Sequence, residues 1–157
     1  MATDADAGIY ARHAPFLDRY VQVGLAQGKV ISVSFPEAPD AEATVDGEHP
    51  LLDRIDDYLG GQPTDFDDID VALTVPTDHR TVLEAVRSVP YGEGVSTEQL
   101  ARMTAGLDHD DEDAHRTVRT ALADDPAPLI IPDHRVHDGP SAPPPAVEQK
   151  LRSIEGL

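Results

Sequence analysis

Between Tyr20 and Phe35 apolar and polar positions alternate. Val21, Val23 and Leu25 form one run; Val30 or Ile31, Val33 and Phe35 form the next, with Ala26-Gln27-Gly28-Lys29 between them. A period of two interrupted by a short Gly-containing stretch predicts a β-hairpin. Pro36 to Gly47 is acidic and rich in small residues, the composition of a loop. The period then lengthens. Leu51, Leu52, Ile55, Tyr58 and Leu59 share one helical face, opened by His49-Pro50 and closed by Gly60-Gly61. Gln62 to Asp70 is a polar connector, and a short extended piece follows at Ile69 to Val75.

The second half carries a helical period throughout. Val82, Leu83, Val86 and Val89 make one stripe, with Asp78 as the candidate N-cap. Pro90-Tyr91-Gly92-Glu93-Gly94 breaks that helix. Ser96 or Thr97 starts another, with Leu100, Ala101 and Met103 inward, and Gly106 ends it. After the acidic turn 108–113 a third helix is predicted from about Ala114 to Ala123. Val118, Ala121 and Leu122 face in, and Arg116 and Arg119 project outward together. Two short helices joined by a turn after a longer one outline a helix-turn-helix. Pro143-Pro144-Pro145 leads into a last helix, Ala146 to Glu155. The break between the halves falls near Pro76, giving an N-terminal α/β part, 1–76, and a helical part, 77–157.

Charge changes the picture. The 157 residues hold 30 Asp and Glu against 12 Lys and Arg, a net charge of −18. Only Lys29 and Lys150 are lysines, and Asp outnumbers Glu by 21 to 9. A dense carboxylate surface of this kind stays hydrated where salt screens repulsion to a few ångströms, so the composition resembles that of proteins from a high-salt cytoplasm. Residues 1–77 carry a net −11 and residues 78–157 a net −7, and neither half shows a basic patch. Strong electrostatic attraction to nucleic acid at low salt is therefore not expected. With no Cys there is no disulfide, no thiolate nucleophile and no cysteine-based metal site. No secretory signal or membrane-length apolar run is visible, so a soluble cytoplasmic monomer without cofactor is expected.

Several motifs occur in a fixed order. The helix Thr81 to Val89 runs into Pro90-Tyr91-Gly92-Glu93, and Val95-Ser96-Thr97-Glu98-Gln99-Leu100-Ala101 follows. Arg116-Thr117-Val118 comes next, then Pro126-Ala127-Pro128-Leu129-Ile130-Ile131-Pro132-Asp133-His134-Arg135-Val136, and finally Glu155-Gly156. In type, order and spacing these resemble the alkylguanine-DNA alkyltransferase family. Ile31 to Phe35, His49-Pro50-Leu51-Leu52 and Asp57-Tyr58-Leu59-Gly60-Gly61 are similar to that family's smaller N-terminal domain. The resemblance implies an α+β fold: a ribonuclease H-like N-terminal domain, then a winged helix-turn-helix-like domain that binds double-stranded DNA and extrudes an alkylated base.

The resemblance also assigns roles. It places Asp133 where the family has its acceptor cysteine, with His134 and Glu155 as the pair that activates the thiol. It makes Arg116 the residue that enters the base stack, Thr97 the replacement of a tyrosine beside the flipped nucleotide, and Asp125 the replacement of an asparagine. Arg119 and Arg135 are candidates for phosphate contact. The glycine-rich loop over the base pocket is replaced by residues 140–145, and His115, Arg119 and Thr120 replace small residues on the recognition helix. A carboxylate is a poor substitute for a thiolate in displacing an alkyl group from oxygen.

Asp133 is thus expected to be a solvated aspartate at a loop or helix edge; contact with a bound base, or activation of a water together with His134, are the alternatives. Asp133, His134, His137 and Asp138 invite a metal reading, but His134 and His137 need not converge outside a helix, and no metal is expected. Tyr91 and Met103 read as packing residues, and His13, His49, His79 and His109 as surface or capping residues. Three functions follow: recognition of alkylated guanine in DNA repair without alkyl transfer, with a possible repair-protein partner; a water-activating enzyme using Asp133 and His134; or an interaction module without catalysis.

Overall fold

A computed structural model describes residues 7–108 and 110–157; His109 and the first six residues lie outside them. The first half is a four-stranded sheet with one helix. β1 (Gly8–Ala14), β2 (Arg19–Ala26), β3 (Lys29–Ser34) and β4 (Thr44–Val45) lie in the order β3-β2-β1-β4, with β1 antiparallel to β2 and parallel to β4. The predicted hairpin is β2–β3. Its turn residues Gln27 and Gly28 both have positive φ, 52° and 75°, which suits a tight two-residue hairpin turn. β1 lies outside the predicted elements. The outer edge of β3 is covered, since Val30 bridges Val71 and the Val33 N–H donates to the Pro126 carbonyl. The extended piece expected over Ile69–Val75 is reduced to that bridge.

Helix α1 (Pro50–Leu59) starts as the sequence suggests. His49 caps it by accepting the Leu51 N–H through Nδ1 at 3.1 Å, and Gly60 closes it. Its buried face is Leu51, Leu52, Ile55 and Tyr58. Arg12 of β1 ties the sheet to this helix, reaching Asp53 and Asp56 at 2.8 Å each.

The second half consists of α2 (Thr77–Arg87), α3 (Thr97–Met103), α4 (Glu112–Ala123), a 3-10 turn (Asp133–Arg135) and α5 (Pro145–Glu155). α2 begins directly after Pro76, so Asp78 sits in the first turn rather than at the N-cap; its carboxylate accepts the His79 N–H. Ser96 and Gln99 form a reciprocal capping box on α3. Met103, expected inward, is exposed at the end of α3. α2, α3 and α4 pack on one another. One buried apolar cluster runs from the sheet and α1 through α2–α4 to α5. Among the described residues no helix is long and apolar enough to cross a membrane.

One glycine is dictated by this packing. A Cβ at Gly139 would lie 2.9 Å from Leu122 Cδ1 and 3.0 Å from Thr97 Cγ2. Leu122 is fully buried and has no room to retreat. Gly139→Ala is expected to destabilise the fold by about 1–3 kcal/mol through overpacking, read as a lower urea midpoint; an unchanged midpoint would contradict this packing.

Candidate functional site

The segment joining α4 to the 3-10 turn is stiff. Pro126, Pro128 and Pro132 fix φ, and Leu129 takes a φ of +79° that a branched side chain rarely adopts. Its side chain is buried and the Ile131 N–H bonds back to the Ala127 carbonyl, so packing holds the strained turn. This segment delivers Asp133, His134 and Arg135 into the interior between α1 and α5.

Around Glu155, at the end of α5, four groups converge. Its Oε2 lies 2.5 Å from His134 Nε2 and accepts the Tyr58 hydroxyl. Its Oε1 accepts from Arg135 Nε at 2.8 Å and from the Gly92 N–H at 2.9 Å. Burial alone raises a carboxyl pKa, but these donors outweigh it and hold Glu155 down at about 2. Burial, followed by the bond to Glu155, pushes the Tyr58 phenol far above its ordinary range. Arg135 donates a further bond to the Val89 carbonyl and lies 5.8 Å from the Tyr91 ring centroid. Arg152 holds the turn from the other side, donating to the carbonyls of His134 and Val136. His134 Nδ1 is buried without a hydrogen-bond partner.

Asp133 is not the solvated residue the composition suggests: it has no exposed surface. Oδ1 accepts the Ser141 hydroxyl at 2.5 Å and Oδ2 accepts the Ala142 N–H at 3.1 Å. Residues 140–144 therefore lie as a strap across position 133. Asp125, 5% exposed, sits within hydrogen-bonding reach of Asp133, and burial raises the pKa of both carboxyls. A surface groove of about 320 Å³ runs past Val33, Phe35, Asp125, Ala142 and Pro143 but does not reach Asp133.

The expected DNA-contacting residues divide in two. Arg116 and Arg119 are exposed on α4, and Arg116 pairs with Asp113 at 2.8 Å. Thr97 and Arg135 face inward. Thr97 is 7% exposed, and its N–H and hydroxyl both go to Asp138. Arg135 is committed to Glu155 and Val89, so neither is placed to touch a phosphate. His137 does not join His134, and no group of three or more His, Asp or Glu among the described residues could hold a metal. Tyr58 and Arg152 are the site residues that sequence reasoning missed.

Residues 78–144 match the family model described as 6-O-methylguanine DNA methyltransferase, DNA binding domain. This stretch of the chain is similar to that DNA-binding domain. A methylated-DNA–protein-cysteine methyltransferase of Methanopyrus kandleri is 36% identical over 89 residues, covering 56% of this chain and 62% of that protein. One from Metallosphaera sedula is 32% identical over 110 residues, covering 69% and 65%. The chain thus spans less than two thirds of either curated relative. In fold the likeness is wider. The O6-methylguanine methyltransferase of Mycobacterium tuberculosis superimposes with a TM-score of 0.73 at 21% identity, over 94% of this chain and 92% of that one. A structure of a Mycobacterium tuberculosis relative in complex with DNA superimposes with a TM-score of 0.71 at 21% identity, over 93% and 92%. The chain itself contains no cysteine.

Proposed function

We propose that the chain is a DNA-recognition member of the family, one that binds double-stranded DNA bearing an alkylated guanine and transfers no alkyl group. The observation that carries this reading is the combination of an exposed Arg116 and Arg119 on α4 with the complete absence of sulfur nucleophiles. On this reading residues 1–76 are the ribonuclease H-like domain and 77–157 the winged helix-turn-helix, acting as a monomer in a salt-rich cytoplasm. Arg116 fills the space of an extruded nucleotide, and a repair protein takes over the marked site. Entry of the extruded base requires the strap 140–144 to move away from position 133.

The acidic surface sets the conditions. Arg102 pairs with Glu98 on α3 and Arg116 with Asp113 on α4, and the chain carries a net −18, so repulsion by phosphate is strong at low salt. Binding then rests on groove contacts and base extrusion rather than on counterion release. In molar salt, fluorescence anisotropy is expected to give at least about tenfold tighter binding to duplex containing O6-methylguanine than to plain duplex. Arg116→Ala is expected to weaken that binding several-fold without moving the unfolding curve, because the Arg116–Asp113 pair is exposed and adds little to stability. Equal affinity for both duplexes would remove the lesion reading.

The burial of Asp133 favours a second reading, an interaction module that engages no nucleic acid. Absence of any duplex binding, with a protein partner recovered instead, is its signature. The same burial removes the basis for water activation: both oxygens of Asp133 already accept hydrogen bonds, and no solvent reaches them.

A further inference from the structure

Asp125 Oδ1 accepts the Ala127 N–H at 2.9 Å, but Oδ2 is buried and has no donor. The group facing it is Asp133, whose two oxygens are occupied by Ser141 and Ala142. A buried carboxylate oxygen opposite a second carboxylate is satisfied in one simple way, by carrying a proton and donating it. Of two carboxyls sharing a buried site, one keeps its proton well past the ordinary carboxylate range. Besides each other, the titratable group bearing on the pair is the neighbouring His134; the Ala127 and Ala142 N–H groups and the Ser141 hydroxyl complete its surroundings.

The strap depends on this pair. Pro140, Pro143 and Pro144 have no N–H to donate. Among the described residues, the polar bonds tying 140–143 to the body of the protein are the Ser141 hydroxyl and Ala142 N–H bonds, both to Asp133. Asp125 and Ala142 also line the neighbouring groove, so a displaced strap would join that groove to position 133.

We propose that Asp125 and Asp133 share one proton, and that its loss sets two carboxylates against each other beneath residues 140–144, a repulsion that loosens the strap over position 133 and opens the groove. Burial holds the Asp125 carboxyl well above the ordinary carboxylate range, with the Asp133 charge adding to it, so the release comes after the exposed aspartates have ionised. The latch works on the folded chain whether or not DNA is bound.

The test uses the full chain in molar salt. A carboxyl ¹³C NMR titration is expected to show one of the two aspartates still in the acid form after the exposed aspartates have ionised. Protection of the Ala142 amide against hydrogen exchange, corrected for the intrinsic rate, is expected to fall about tenfold per pH unit once the pair titrates. Asp125→Asn supplies a permanent N–H donor and no charge, so its Ala142 protection is expected to stay flat from about pH 6 to about pH 10. Should that variant not fold, Ser141→Ala serves instead: it removes one of the two strap bonds and is expected to lower Ala142 protection at every pH. Two carboxyls that ionise together with the exposed aspartates would overturn the proposal. So would the same pH dependence of Ala142 in wild type and Asp125→Asn, or unaltered protection in Ser141→Ala.

Discussion

Glu155→Gln is expected to destabilise the protein by about 3–5 kcal/mol, the range for removing one partner of a buried ion pair. Arg135 is buried against Glu155, and its Nε has that carboxylate as its partner. Glutamine keeps the shape and one acceptor oxygen but presents an NH₂ group to donors already aimed at it from Tyr58, His134, Arg135 and Gly92. The loss is therefore of charge complementarity, with nearly constant volume. Urea unfolding at neutral pH reads it, and a change below about 1 kcal/mol would mean that the network contributes little.

The same carboxylate gives a direction to the acid response. Its folded pKa of about 2 lies below the ordinary glutamate value of about 4.3. A depressed carboxyl pKa contributes stability that is complete above the unfolded value and is lost as pH falls through the folded one. Wild type should thus lose this contribution progressively between about pH 4.5 and pH 2, and Glu155→Gln should show a flatter profile there. Asp125 acts in the opposite sense. Its raised pKa contributes stability present at low pH and lost as pH rises through the folded value, so the two carboxyls confine maximum stability from both sides.

Locally encoded features were legible. The alternation from Val21 to Val33 around Gln27-Gly28 is the β2–β3 hairpin. His49-Pro50 and Gly60 bound α1, and Ser96 with Gln99 opens α3. β1 was invisible because its alternation is blurred: Arg12 and His13 sit in a strand whose Ala11 and Ala14 are the buried positions. Asp78 is chemically a good cap, but Pro76 already supplies the extended residue from which α2 begins. The grouping of His134 with Glu155 came from resemblance, since 21 residues separate them. Tyr58 reads locally as one more residue of the apolar face of α1, with nothing to mark its hydroxyl. It reaches His134 across 76 residues, and only tertiary packing makes its hydroxyl part of the site. The burial of Asp133 is illegible in the sequence for a related reason. In a chain with 21 aspartates the prior for any one is solvation, and the two donors that bury this one come from a strap eight and nine residues downstream.

Asp133→Cys is expected to put sulfur where the resemblance places the acceptor without producing alkyl transfer. A thiol needs both ionisation and access. The neighbours that the resemblance assigns to thiol activation, His134 and Glu155, are present and in contact. Access is what the fold withholds, since position 133 has no exposed surface. The substitution also removes the acceptor of both strap bonds, so the strap would then rest on buried Pro143 and the packing around it. If that packing suffices, a soluble maleimide will label the cysteine on the order of 10²–10³-fold more slowly than an exposed thiol, the rate following local opening. Methylated duplex should then leave the protein unmodified by mass spectrometry. Rapid labelling together with a methyl adduct would show that the strap alone, and not the pocket beneath it, keeps this scaffold from its relatives' chemistry. Rapid labelling without an adduct would place the defect in base recognition, at Thr97 and the surface of α4.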